Sequence, residues 1–186
     1  MHAREYRART CPNLPLPSSF MPTVATHKQP DGDALAALWL AERFLFREQD
    51  VKIVFVGRGA SASLAMADCV VDVGNEYDTA RLRFDHKPPA FTDRNTWCAA
   101  RLVWEHVRKM GQDVEHLAKW IAVVHEGDSN PPRSPSDALK ASRTDGFHAA
   151  VAHARRDHTG DDAMIYGAVR AWLDAHEQRL KDLRLT

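Results

Sequence analysis

No stretch of this chain approaches the ~20 consecutive apolar residues that a bilayer-spanning helix needs. Its first 20 residues also lack the apolar core of a signal peptide. Cysteine is scarce. Cys11, Cys69 and Cys98 are an odd, widely spaced set with no Cys-x-x-Cys pair, which argues against a secreted disulfide scaffold and for reduced thiols in a cytoplasmic protein. A charge excess is missing too, because 25 Lys and Arg balance 25 Asp and Glu. A chain without a basic field is not a non-specific nucleic-acid binder, so any polyanion must be held locally. No internal repeat is visible. Gly57 and Gly59 in VGRGAS are only a fragment of a phosphate loop, and a turn after a strand is the plainer reading.

What is present is room and pattern. A length of 186 residues suffices for one domain with a sizeable core but not for two of full size. The opening MHAREYRARTCPNLPLPSSF is basic, then rich in Pro and Ser, and has no sustained period. It predicts a disordered extension over 1–21, ahead of a single domain over 22–186. PTVATH is a short β-rich run, and after it Ala34, Leu38, Ala41 and Leu45 share a helical face. VKIVFVG (51–57) and DCVVDVG (68–74) are continuous apolar runs of the kind that parallel sheets bury on both faces, and RLRFDH offers a further strand. Helical stripes follow: Trp97, Ala100, Trp104 and Val107, then Val114, Leu117, Ala118, Ile121 and Val124 behind Asp113 as N-cap. GDSNPPRSPSD predicts a loop, and two last helices carry Phe147, Ala150, Val151, Ala154 and Ile165, Ala168, Val169, Trp172. The expected fold is α/β, an open, mostly parallel sheet with helices on both faces and a helical C-terminal region.

Chemistry concentrates where these elements end. His27 follows the first strand, Asp31 and Asp33 lie in the turn into the helix, and Asp72 ends the strand DCVVDV. Asp85 and His86 follow another strand, and Asp128 lies just beyond the helix at 114–125. In open α/β sheets ligands gather beyond the carboxyl ends of the strands. Each residue also has a plain structural reading. Asp31 or Asp33 could cap the helix, His27 could be a surface histidine, and Asp128 could be a turn residue. Asp72 is harder to explain away, since an unpaired carboxylate among valines costs several kcal/mol and a cation would remove that cost.

THKQPDGDALAA resembles the first motif of the DHH phosphoesterase superfamily, a His followed by two Asp four and six residues later. ADCVVDVGNEYDTARLRFDHK is similar to its second and third motifs, and HEGDSN to its fourth. The wording of the middle stretch most resembles the melanocyte-proliferating-gene branch, whose members act as RNA exonucleases. The resemblance implies two Mn(II) ions, with Mg or Co as substitutes. It assigns His27 and Asp31 to one metal and Asp33, His86 and Asp128 to the other, with Asp72 bridging. Oxygen-rich ligation with a few imidazoles suits such ions. Two close dications lower the pKa of a bridging water and hold phosphoryl oxygens during in-line attack. Gly32 would then permit a tight turn between Asp31 and Asp33.

Two features depart from the family. Its third motif ends in a second histidine that contacts the substrate phosphate, whereas this chain has Lys87. Lys87 is expected to clamp a phosphate, or to donate a proton if nearby metal charge depresses its pKa. His125, beside Asp128, is a second candidate for proton work. The family's Gly-rich C-terminal substrate-gripping segment is also missing, and about 56 residues follow the fourth motif. Substrate grip is then reduced or shared with another subunit, as in a homodimer, with Arg133, Arg143, Arg155 and Arg156 as candidate phosphate contacts.

The expected activity is metal-dependent hydrolysis of phosphodiesters in short RNA, DNA or nucleotides by a two-metal activated water, with catalytic roles for Asp72, Lys87 and His125. The alternatives are a phosphoanhydride hydrolase of the pyrophosphatase type, or a metal- or nucleotide-binding domain without catalysis.

Overall fold

The computed structural model describes residues 21–47, 49–57, 60–87, 91, 96–130 and 146–184. Five strands form one sheet: β1 (Thr23–His27), β2 (Lys52–Val56), β3 (Cys69–Val71), β4 (Tyr77–Asp78) and β5 (Arg83–Phe84), in the order β2-β1-β3-β5-β4. β1 runs parallel to β2 with Thr23 opposite Lys52, and parallel to β3 with Val24 opposite Cys69. β3 is parallel to β5, and β4 alone is antiparallel. The helices are α1 (Gly32–Leu40), α2 (Ser61–Met66), α3 (Ala99–Lys109), α4 (Ala118–Ser129), α5 (Phe147–Asp157) and α6 (Asp162–Asp182). A π-helical turn, Ala41–Leu45, extends α1, and a 3-10 turn, Glu115–Leu117, precedes α4.

The connection from β1 to β2 moves one way along the sheet, and the connection from β2 to β3 moves back past β1. Right-handed crossovers therefore place α1 and α2 on opposite faces. Core composition agrees. Val24, Val71 and Phe84 pack with α1, α3 and α4 in the main core, while Ala25 and Val70 face a small cluster with Leu64 and Ala67 beside α2. Arg83, also on this thinner side, is buried. Its guanidinium donates to the carbonyls of Ala67 at 2.9 Å and Arg81 at 2.7 Å.

Local readings needed correction in several places. The helix after β1 is buried all round from Ala34 to Ala41 rather than along one stripe, because the sheet and the later helices surround it. Asp113 caps no helix: the 3-10 turn begins from Val114 without a side-chain cap, and Asp113 instead accepts from Arg184 at 3.0 Å. The helix expected to end at 125 continues to Ser129, so Gly127, Asp128 and Ser129 form its last turn instead of a loop. Two-residue β4 carries too short a pattern to be read from sequence. The extension expected over 1–21, apart from Met21, and the loop beyond Asn130 lie outside the described residues.

Candidate metal centre

β1 and β3 are neighbours whose onward connections leave in different directions, and the crevice at their carboxyl ends is a topological switch point. His27 is the last residue of β1. Asp31 is the N-cap of α1, its Oδ1 accepting from the Ala34 amide at 3.0 Å, and Asp33 lies in the first helical turn. Asp72 follows β3 with φ of +55°, a left-handed conformation that Asp adopts more readily than most residues and that turns the chain sharply out of the strand. Asp85, His86 and Lys87 follow β5, and α4 brings Asp128 from the opposite side.

These side chains converge. His27 Nε2 lies 3.1 Å from Asp72 Oδ2, and His86 Nε2 lies 3.4 Å from Asp72 Oδ1, 3.7 Å from Asp128 and 3.9 Å from Asp33. Three groups have ligand atoms within 4.8 Å of one another: His27, Asp31 and Asp72; Asp33, His86 and Asp128; and Asp72, Asp85 and His86. Each is able to hold a metal ion. The first two match the division that the resemblance implied, and the two imidazoles approach different oxygens of Asp72. His86 Nδ1 is buried without a hydrogen-bond partner. His27, Asp31, Asp72, Asp85, His86 and Asp128 border an open cleft of about 1040 Å³, whose wall continues through Lys28, Gly57, Ser61, Asn75 and Ser129, while Asp33 is buried behind them.

The electrostatics are those of too many carboxylates in one place. Burial, then the charges of Asp72 and Asp128, push Asp33 up to about 8. Burial likewise raises Asp128 to about 6, although His86 opposes it. Asp72 behaves oppositely. Burial would raise it, but hydrogen bonds from His27 and His86 and the Lys87 ammonium hold it well below the usual carboxylate range. The same hydrogen bond lifts His27 to about 9, over the opposing effect of its burial. Burial disfavours the His86 cation, yet Asp72, Asp33 and Asp128 outweigh it and raise the pKa. A cluster that raises its own carboxyl pKa values is short of positive charge, and divalent cations suit such a donor set.

Plain and chemical readings of Asp31 and Asp33 coexist. Asp31 caps α1, and Asp33 accepts from the Ala99 and Ala100 amides, both at 2.8 Å, at the start of α3. A carboxylate has about four lone-pair sites, so two amide bonds fix its orientation without exhausting it. Gly32 has another role than the expected one. It has no positive φ, and a Cβ there would meet Phe147 Cε1 at 3.3 Å, so the small residue serves helix packing.

Lys87 lies among carboxylates at the same crevice. Its ammonium bonds Asp72 Oδ1, lies 3.2 Å from the Asp72 carbonyl and 3.4 Å from Asp85 Oδ1. Burial opposes its charge, but these carboxylates prevail and its pKa is raised, not depressed. His125 is not among the residues lining the cleft, and its Nδ1 lies 3.4 Å from Ser129 Oγ. Arg155 and Arg156 are exposed on α5 away from the cleft lining, and Arg133 and Arg143 lie outside the described residues. Asp85, quoted in the motif but given no role, is fully buried and accepts from the amides of Asn75 and Lys87 at 2.8 and 3.2 Å. Its position one residue before His86 was the available signal.

The MYG1_exonuc family model, described as Uncharacterised protein family (UPF0160), matches residues 30–118. The chain matches the MYG1_exonuc family. That is the branch its motifs resembled. The matched span includes Asp31, Asp33, Asp72, Asp85, His86 and Lys87, while His27 and Asp128 fall outside it. No curated protein and no solved structure matches the chain. Among the described residues, no helix is long and apolar enough to cross a membrane.

Proposed function

We propose that this chain is a metal-dependent phosphohydrolase that cuts phosphodiester bonds in short nucleic acids or nucleotides, with Mn(II) as the working ion and Mg(II) or Co(II) as substitutes. The observation that carries this reading is the pair of ligand groups, His27, Asp31 and Asp72 beside Asp33, His86 and Asp128, whose two imidazoles both approach Asp72 at an open cleft. His27, Asp31 and Asp72 would hold one ion, and Asp33, His86 and Asp128 the other, with Asp72 shared. Bound metal would supply an activated water and neutralise phosphoryl oxygens. The exonuclease in the family's label supports a phosphodiester substrate.

The chain's own residues set up the rest. The amides of Ala99 and Ala100 hold Asp33, and the Ala34 amide holds Asp31, so two donors are oriented before any ligand arrives. Lys87 is a cation lining the cleft, with side-chain exposure of 37%, and it can turn towards a phosphoryl oxygen. Lys28, Asn75 and Ser129 offer further polar contacts along the wall.

The test is a metal-supplemented hydrolysis panel of aryl phosphodiester, dinucleotides, short RNA and pyrophosphate. Cleavage of dinucleotides or short RNA that stops with chelator is expected. Pyrophosphate release alone would move the assignment to phosphoanhydrides, and metal binding without turnover on any substrate would make the domain a binding module.

A further inference from the structure

Asp72, Asp85 and His86 form the third ligand group, and the Lys87 ammonium sits on two of its members. It also reaches the Asp72 carbonyl at 3.2 Å, so three oxygens surround Nζ as they would a small cation. Its main contact is Asp72 Oδ1. This oxygen faces His86, 3.4 Å from Nε2, and so belongs to the side of Asp33, His86 and Asp128. The other oxygen, Oδ2, faces His27. Lysine therefore sits on only one side of the bridging carboxylate.

We propose that Lys87 acts as an internal cation that makes the two metal positions unequal, so that the position of His27 and Asp31 loads tightly and that of Asp33, His86 and Asp128 loads weakly. This rests on the metal reading above. Two causes act together. An ion held by Asp33, His86 and Asp128 would compete with the ammonium for Asp72 if that carboxylate is shared, and it would meet like-charge repulsion from a group held by Asp72 and Asp85. Lys87 is thereby a positioning residue for the metals, whatever it does for substrate.

Calorimetric titration of the chelator-treated protein with Mn(II), with bound metal counted by elemental analysis, tests this. The parent should show two steps separated by about tenfold or more, which corresponds to about 1.4 kcal/mol. Lys87→Met, which keeps length and removes charge, should narrow the gap by about tenfold, chiefly by tightening the weaker step. Lys87→Ala should do the same and guards against misfolding of the first variant, with each fold checked by circular dichroism. Two equally tight steps in the parent, or a gap unchanged in both folded variants, would overturn the inference while leaving the metal centre standing. Absence of Mn(II) binding in all three proteins would overturn both.

Discussion

Removing metal should leave a protein that loses stability as pH rises. Asp33 has a folded pKa of about 8 against an ordinary value of 3.8, so between these the folded chain holds a proton that the unfolded chain has released. For a raised pKa the stabilisation is complete below the unfolded value and is lost as pH rises through the folded value. His27, raised to about 9, has the same sign over pH 6.5 to 9, whereas Asp128, raised to about 6, has finished most of its change by pH 6. Asp72, with a lowered pKa, contributes above the ordinary carboxylate range and loses its contribution only in acid. One extra bound proton is worth about 1.4 kcal/mol per pH unit, and the slope halves as pH reaches the folded pKa, so Asp33 alone implies a loss on the order of 2 kcal/mol from pH 6 to 8. The carboxylates titrate as a set, so their separate contributions do not add. At about 2–4 °C per kcal/mol for a chain of this size, Tm should fall by roughly 4–8 °C. Mn(II) at a hundred times its Kd should add about 2.7 kcal/mol, and a fixed Mn(II) concentration should add more at higher pH because binding displaces the proton. Thermal melts followed by circular dichroism at pH 6, 7 and 8, with chelator and with Mn(II), measure both trends. A chelated protein whose Tm is flat or rising over this interval would refute the argument that burial and the neighbouring carboxylates keep Asp33 protonated.

Asp72→Asn should lower turnover on the order of 100-fold or more. Asp31→Asn and Asp128→Asn should each lower it less, because among the described residues Asp72 alone turns an oxygen towards both His27 and His86; equal losses in steady-state assays would remove its shared role. Gly127→Ala should destabilise the chain, since a Cβ there would lie 2.1 Å from His148 Nε2. The added His148→Ala change should restore most of the loss in a double-mutant cycle followed by urea denaturation. Arg83→Met should cost about 3 kcal/mol, because charge-assisted bonds to the Ala67 and Arg81 carbonyls disappear. A shift in urea midpoint worth under about 1 kcal/mol would show that water replaces the guanidinium.

Composition and periodicity by themselves determined the class of this protein. Apolar runs at 51–57 and 68–74 and helical stripes around them specify a parallel sheet with helices, although burial on both faces holds for the run at 68–74 in β3 and not for β2, an edge strand of which only Val56 is buried. His27, Asp31, Asp33, Asp72, His86 and Asp128 were legible as candidates because each lies where a strand or helix ends, and their order carried the family resemblance. Tertiary structure decided what no spacing along the chain contains. The sheet order brings the ends of β1, β3 and β5 to one crevice, and α4 crosses over to deliver Asp128. Only that packing turns Asp33 to the amides of α3, reserves the space at Gly32 for Phe147, and lays the Lys87 ammonium on Asp72 Oδ1. Lys87 illustrates the division most sharply. Its charge was readable at position 87, but the direction of its pKa depends on which charges lie within a few ångströms. In this fold those are two carboxylates, one of them 15 residues away in sequence.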